Sequence, residues 1–209
     1  STHILKPDTK RLAGSVENEA FCLSLARACG LEAAEVTIGV AGKRRYLLVK
    51  RCARFTDPQG EIRRLHQEDL CQLTGHFPSQ KYERSSTGRG VTMKMMFDAV
   101  SDLVSPGERL KLLDAVILNV LICNSDSHAK NYSILIGAGG SAKMAPLYDL
   151  MCAAAYRQVD QSLPQGISGR FHAPDLRRAD WQALADDVGL SGASTLKRVE
   201  ELAQLVSVG

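Results

Sequence analysis

Asn124-Ser125-Asp126-Ser127-His128-Ala129-Lys130-Asn131 is the stretch that decides how this chain is read. It is a polar interruption directly after the most hydrophobic region of the sequence, Leu112 to Cys123, which reads as a buried helix. Within the run, Asp126 and Asn131 keep the order Asp-x-x-x-x-Asn. That spacing lets one short loop do two jobs: the carboxylate faces a hydroxyl and accepts its proton, while the amide turns inward and offers an oxygen to magnesium. A second carboxylate is then needed beside the metal. Tyr132 to Ile136 reads as a strand turning at Gly137 to Gly140, and the returning arm brings Asp149 back to the same place. An isolated Asp-x-x-x-x-Asn is common by chance, and Asp or Asn in a polar loop usually caps a turn, so the run needs support from the rest of the chain.

Helices flank the run. Glu108 to Cys123 leads into it, preceded by Gln67 to Thr74 and by Met93 to Val104 with a Met93/Met96/Phe97/Val100 stripe. Methionines at helical spacing are core filler far more often than a ligand box. Trp181 to Val188 and Thr195 to Val206 come last, the second with Val199, Leu202, Ala203 and Val206 on one face. At the other end Ser1 to Lys6 reads as a strand. Ser15 is placed to cap a helix in which Cys22, Leu25, Ala26 and Cys29 recur at helical spacing before Gly30. Val36 to Val40 and Tyr46 to Val49 suit a hairpin through Ala41-Gly42-Lys43-Arg44, and Asp57-Pro58-Gln59-Gly60 is a polar loop. Ser85-Ser86-Thr87-Gly88-Arg89-Gly90 reads as a flexible loop. The expectation is an α+β fold in two lobes: residues 1–54 as part of a small β-rich lobe with one helix, and residues 55–209 as a mainly helical lobe carrying the polar run.

The 209 residues suffice for one sizeable core, and 44% hydrophobic content is that of an ordinary soluble globular protein. Leu112 to Cys123, interrupted by Asp114 and Asn119, falls short of the roughly 18 residues of a membrane span, so no membrane partner is expected. No signal-peptide pattern precedes the first strand, and a start at Ser1 rather than Met suggests a chain that begins inside a longer protein. The six cysteines lack the two-residue spacing of a zinc or redox motif, which points to free thiols in a reducing cytoplasm. A net charge of +3 is too small to make nucleic acid the main ligand. The short clusters Arg44-Arg45, Arg63-Arg64 and Arg177-Arg178 read as solvated faces.

Asp-x-x-x-x-Asn followed by a later Asp is the spacing of a protein-kinase catalytic loop and its metal-binding aspartate. Lys6 on the first strand then offers the cation that grips nucleotide phosphates, with Glu17 or Glu19 on the next helix to pair with it. The blocks Thr2-His3-Ile4-Leu5-Lys6-Pro7, Asn18-Glu19, His66-Gln67-Glu68-Asp69-Leu70-Cys71-Gln72, Asn124 to Ser133 and Leu147-Tyr148-Asp149-Leu150 together resemble the HipA toxin kinase family over nearly the whole chain. The resemblance implies a protein-kinase-like two-lobed fold that uses ATP and Mg2+ to phosphorylate serine in a protein, for known members an aminoacyl-tRNA synthetase, so halting translation. It implies as partners a small helix-turn-helix antitoxin and, only through that complex, operator DNA. By position, Asp126 resembles the proton acceptor, Lys6 the phosphate-binding lysine, and His128, Ala129, Lys130 and Asn131 a nucleotide-contacting loop. Asn131 and Asp149 resemble the metal ligands, Tyr148 the adenine-side contact, and Lys50-Arg51-Cys52 the hinge that holds adenine.

At that hinge the family usually reads Glu-Arg-Phe-Asp-Arg, and this chain reads Lys50-Arg51-Cys52-Ala53-Arg54. Backbone hydrogen bonds to adenine survive such a change, whereas a side-chain contact from the hinge acid does not. Family members also carry a glycine- and serine-containing phosphate loop before the Thr-His-Ile-Leu-Lys strand, on which this sequence opens directly. These departures keep open a second reading, a kinase-fold protein that binds an antitoxin or DNA partner with little or no catalysis. A third makes Asp126, His128 and Asp149 a metal-dependent hydrolase site, which leaves Lys6 and Asn131 unexplained.

Overall fold

The computed structural model of the chain describes residues 1–85 and 88–208. Its first layer comprises β1 (His3–Pro7), α1 (Ser15–Ala28), β2 (Val36–Ala41) and β3 (Arg44–Lys50). The strands form an antiparallel sheet in the order β1-β3-β2, with Lys6 and Ile38 on either side of Leu47. The expected hairpin between β2 and β3 turns at Gly42, whose φ of 62° is the left-handed conformation that a two-residue turn requires. Val16, Cys22, Leu23 and Ala26 of α1 share one apolar cluster with Leu47 and Val49 of β3, the residues that helical and strand periodicity put on facing sides. Ser15 is the first helical residue rather than the expected cap. Gly14 takes the cap position at φ 78°, and the Ser15 hydroxyl donates to Asp8 at 2.8 Å instead.

β4 (Arg54–Thr56) and β5 (Ile62–Arg64) form a separate hairpin around the polar loop, where Asp57 accepts from the backbone N–H groups of Gln59 and Glu61. The helix expected over Gln67 to Thr74 is corrected: β6 (His66–Asp69) is a strand, and α2 (Leu70–Leu73) is a single turn. The cause is tertiary, since β6 pairs with a strand far downstream that no local window contains. Asp69, extended at ψ 158°, caps α2 by accepting from the Gln72 N–H at 2.8 Å while the Gln72 side chain accepts from the Asp69 N–H. Two short paired arms follow, β7 (Arg84–Ser85) and β8 (Gly88–Arg89); of the loop expected at Ser85 to Gly90, Ser86 and Thr87 lie outside the described residues.

α3 (Met93–Ser101), capped by Thr92, stops before the expected Val104, and its methionine stripe is core. α4 (Pro106–Leu121) starts earlier than expected because Ser105 caps it and Pro106 fits its first turn. This helix is the centre of the core: Leu112, Leu113, Val116, Ile117 and Leu118 are almost entirely buried. β9 (Ser133–Ile136) and β10 (Ala142–Met144) form the expected hairpin, and β6 completes an antiparallel sheet in the order β10-β9-β6. A further hairpin, β11 (Ser162–Ile167) with β12 (Arg170–His172), has no counterpart in the sequence reading, because Leu163 to Ile167 is buried without alternation. α5 (Arg178–Asp187) and α6 (Gly192–Val208) pack on each other, with Leu202 fully buried on the expected face. The fold is α+β, a small sheet-and-helix layer before a mainly helical part. All six cysteines are free, and no helix among the described residues is long and apolar enough to cross a membrane.

Candidate active site

Strand β1 delivers Lys6 to α1 and to the segment after β10 at once. Its Nζ donates to both oxygens of Glu19 at 2.8 and 3.0 Å and to Asp149 Oδ1 at 2.6 Å. Of the two glutamates weighed in α1, Glu19 takes this place, while Glu17 pairs with Arg45 at the surface. Burial opposes the charge on Lys6, yet Asp149 and Glu19 hold its pKa above the ordinary lysine value. Burial also pushes Glu19 up, against the pull of Lys6. The two shifts favour opposite states of one pair. An ammonium donating to both oxygens of one carboxylate fits the ionised pair, and the geometry supports that state.

Asp149 sits at φ 57°, a left-handed conformation uncommon outside glycine that aspartate tolerates better than most residues, and its neighbours hold it there. Two amides do so. Asn124, 1% exposed, donates to Asn119 Oδ1 at 2.8 Å and to the Asp149 carbonyl at 3.5 Å, while its own Oδ1 accepts from the Asp126 N–H at 3.2 Å. Asn18 of α1 clasps the backbone of Cys152, donating to its carbonyl at 3.0 Å and accepting from its N–H at 2.8 Å. The polar run, the Asp149 turn and the first helix are thereby joined.

Arg51, His128, Lys130, Asn131, Tyr148 and Asp149 line one cleft of about 480 Å³, within the roughly 300–1,000 Å³ of small-molecule sites. Lys130 is held by Asp69 at 2.9 Å, and the Tyr148 hydroxyl, bonded to Ser133, also donates to the Lys130 carbonyl at 2.9 Å. Burial pushes the Tyr148 phenol well above its ordinary pKa, so it stays a donor. Five of the residues singled out in the sequence are not among the lining: Lys6 and Asp126 lie beside it, and Ala129, Cys52 and Lys50 turn away. Ala129 is buried with its N–H on the Lys81 carbonyl, the Cys52 thiol points to Gln67, and Lys50 reaches outward to Glu35 at 2.9 Å. Asp126 is largely exposed beside the cleft: its carbonyl accepts from the Asn131 amide at 2.9 Å, and its carboxylate lies 3.8 Å from His128 Nε2.

Sequence reasoning missed Tyr82. Its hydroxyl donates to Asp126 Oδ1, and its ring meets His128 edge-on with centroids 5.1 Å apart. The segment is fixed to the polar run through Ala129 and to β11 through Glu83, which accepts from the Gly166 N–H at 2.8 Å. A tyrosine in a polar loop carries no periodic signal that could have singled it out.

The Asn131 amide nitrogen is committed to Asp126, which leaves its oxygen as the acceptor available beside Asp149. One amide and one carboxylate oxygen suit magnesium, which takes few protein ligands and completes its shell with water and phosphate. Among the described residues, no group of three His, Cys, Asp or Glu is arranged to hold a metal, so Asp126, His128 and Asp149 do not form the hydrolase centre weighed above.

A strand lysine paired to a helix glutamate, over a cleft that joins an Asp-x-x-x-x-Asn loop to a second aspartate, defines a protein-kinase-like fold. A solved structure of the Helicobacter pylori proinflammatory kinase CtkA shares that fold, with a TM-score of 0.57 at 14% identity over 98% of this chain and 85% of that one. Residues 1–208 match the HipA-like C-terminal domain, and the chain belongs to that family. It is 39% identical over 204 residues to "Putative kinase Y4mE" of Sinorhizobium fredii, and 29% identical over 216 residues to the serine/threonine-protein kinase toxin HipA of Shewanella oneidensis. These alignments take in 97% and 99% of this chain but 48% and 49% of the relatives, so the chain spans about half their length. The structure of the Shewanella HipA, HipB and operator DNA complex matches it with a TM-score of 0.87 at 28% identity, covering 100% of this chain and 51% of that one.

Proposed function

We propose that the chain is the nucleotide- and metal-binding core of a serine/threonine-protein kinase that uses ATP and Mg2+ within a toxin–antitoxin pair. The observation that carries this reading is the Lys6 bridge between Glu19 and Asp149, set beside the loop of Asp126 and Asn131. Phosphoryl transfer asks little covalent chemistry of a protein and depends on positioning and charge neutralisation. Lys6, fixed by Glu19, holds the phosphates. Asp126 faces the acceptor hydroxyl: as its oxygen bonds to phosphorus and the bond to the ADP leaving group breaks, its proton passes to the Asp126 carboxylate. Magnesium, when held by Asn131 and Asp149, neutralises charge on the phosphate oxygens.

Arg51 and Cys52 offer hinge backbone to adenine, and Tyr148, Lys130 and His128 wall the nucleotide. Residues 1–54 then belong to the small lobe and 55–209 to the helical one. The relatives' names support only a toxin–antitoxin setting with HipB and operator DNA; to this the reading adds a helix-turn-helix antitoxin as partner, operator DNA reached only through it, and a cytoplasmic protein target such as an aminoacyl-tRNA synthetase, with no membrane contact. Asp126→Asn in the intact protein is expected to lower γ-phosphate transfer from ATP by about 10²–10⁴ while leaving thermal unfolding unchanged. Undiminished transfer overturns the assignment. A kinase-fold binder with little catalysis is the alternative, favoured by Lys50, which stands at the hinge acid's position and points away to Glu35. It predicts partner binding by the intact protein without measurable phosphate transfer.

A further inference from the structure

Lys81 stands next to Tyr82 on a backbone pinned from two sides. Its carbonyl accepts from the Ala129 N–H of the polar run at 3.1 Å and from the Gln165 side chain of β11 at 2.8 Å, Gln165 being 2% exposed. The Glu83 N–H donates to the Pro164 carbonyl at 2.9 Å, so the whole segment moves with the loop of Asp126 and with β11. Fold stability is thus served by the main chain of Lys81, not by its side chain. The ammonium lies over the Tyr82 ring, 5.1 Å from its centroid, and that ring meets His128 edge-on while its hydroxyl donates to Asp126. Burial holds His128 below its ordinary pKa against the Asp126 charge, and the Lys81 charge adds to the depression, which puts the ammonium near a ring that lines the cleft. Among the described residues no carboxylate forms an ion pair with Lys81. The lysines on the nucleotide side differ: Lys6 bridges Glu19 and Asp149, and Lys130 is held by Asp69. Glu83, two positions on, is taken by the Gly166 N–H and by Arg89.

We infer that Lys81 is a further catalytic residue, whose ammonium donates to a non-bridging oxygen of the phosphoryl group as it passes from ATP to the acceptor beside Asp126. The inference rests on the kinase reading of the site. While the bond to ADP breaks and the bond to the acceptor oxygen forms, negative charge spreads over the three equatorial oxygens of the group in transfer. Asp126 is itself an anion and repels that group. A cation on the same side offsets the repulsion, and one held in place beforehand costs no reorganisation at the moment of reaction. Lysine suits the task as a compact charge on a flexible stem that follows the group toward the acceptor. Lys81 keeps its own protons, since the acceptor's proton passes to Asp126.

Isothermal titration of the intact protein with MgADP, alone and with aluminium fluoride, tests this, because the planar fluoroaluminate stands in for the phosphoryl group in transfer. Aluminium fluoride is expected to tighten MgADP binding to wild type by at least about a hundredfold, and that gain to fall at least about tenfold in Lys81→Met and to return in Lys81→Arg. Affinity for MgADP alone is expected to stay within about twofold in both variants. Methionine keeps the packing on Tyr82 and the bonded carbonyl, and Lys81→Gln takes its place if thermal unfolding shows Lys81→Met to be unfolded. An equal gain in wild type and variant overturns the inference. So does a parallel loss of both affinities, the mark of a lysine kept for structure. Wild type that binds MgADP with no gain from aluminium fluoride overturns it as well, whereas failure to bind MgADP at all is a failure of the kinase reading itself.

Discussion

Tyr82 donates its phenol proton to one oxygen of Asp126 and leaves the other facing solvent. Burial, and then Asp126 itself, push the phenol well above its ordinary pKa, so it remains a donor throughout the working range. Its effect is to fix the carboxylate rotamer. Tyr82→Phe keeps the edge-on contact with His128 and removes only the hydrogen bond, so kcat is expected to fall about tenfold with KM for ATP unchanged, a loss near 1.4 kcal/mol. Steady-state kinetics in an Asp126→Asn background should show no further loss; additive losses would mean that Tyr82 acts elsewhere. At this scale the sequence was legible in placement: Asp126 and Asn131 lie on one loop and are joined there by the Asn131 amide donating to the Asp126 carbonyl. Tyr82 and Asn124 were not legible, because their roles come from partners that only tertiary structure supplies.

Elements tell the same story through their ends. Helices α3 and α4 follow from local signals, a Thr92 cap and a Ser105-Pro106 start. β6 does not, since its ladder partner β9 lies beyond any local window, and its polar residues read equally well as a helix start. Between α1 and the Asp149 turn, the Asn18 clasp on Cys152 is the join most exposed to a single change. Asn18→Ala leaves both backbone groups of Cys152 without these partners and is expected to lower stability by about 1–3 kcal/mol in urea unfolding. At the start of α5, Arg170 and then the Arg177 N–H hold the Asp180 carboxyl below its ordinary pKa. The unfolded chain takes up that proton first, so the contribution is whole above the unfolded value of about 3.9 and is lost as pH falls through the folded one. Asp180→Asn should therefore flatten the acid limb of the stability–pH curve below about pH 4 and leave its neutral slope alone.

For the molecule as a whole, one apolar cluster runs from α1 and β3 through α3 and α4 to α5 and α6, so the cleft is set on a continuous core. Ligand binding at the cleft then reports on global unfolding. MgATP at 100 times its dissociation constant is expected to stabilise by about 2.7 kcal/mol, a rise of roughly 5–10 °C in Tm. Differential scanning fluorimetry on wild type and Asp149→Ala checks it: a magnesium-dependent shift lost in the variant supports the metal role, and an equal shift in both removes Asp149 from it. The α+β class was legible at this scale from the order of strands, hairpin and helices. The β11–β12 hairpin was not, because burial on both faces erases the alternation by which strands are recognised.

Lys6 and Asp149 meet across 143 positions of sequence, and Asn18 reaches Cys152 across 134. Contacts this distant along the chain form late in folding, after the local turns and helices. During synthesis, which proceeds from the N-terminus, the first helix and strand emerge long before their partners. The charge arrangement around Lys6 cannot exist on a nascent chain until the Asp149 turn has left the ribosome. The proposed nucleotide site is thus withheld until the segment carrying Asp149, 143 positions after Lys6, has been made, a timing that needs no regulator.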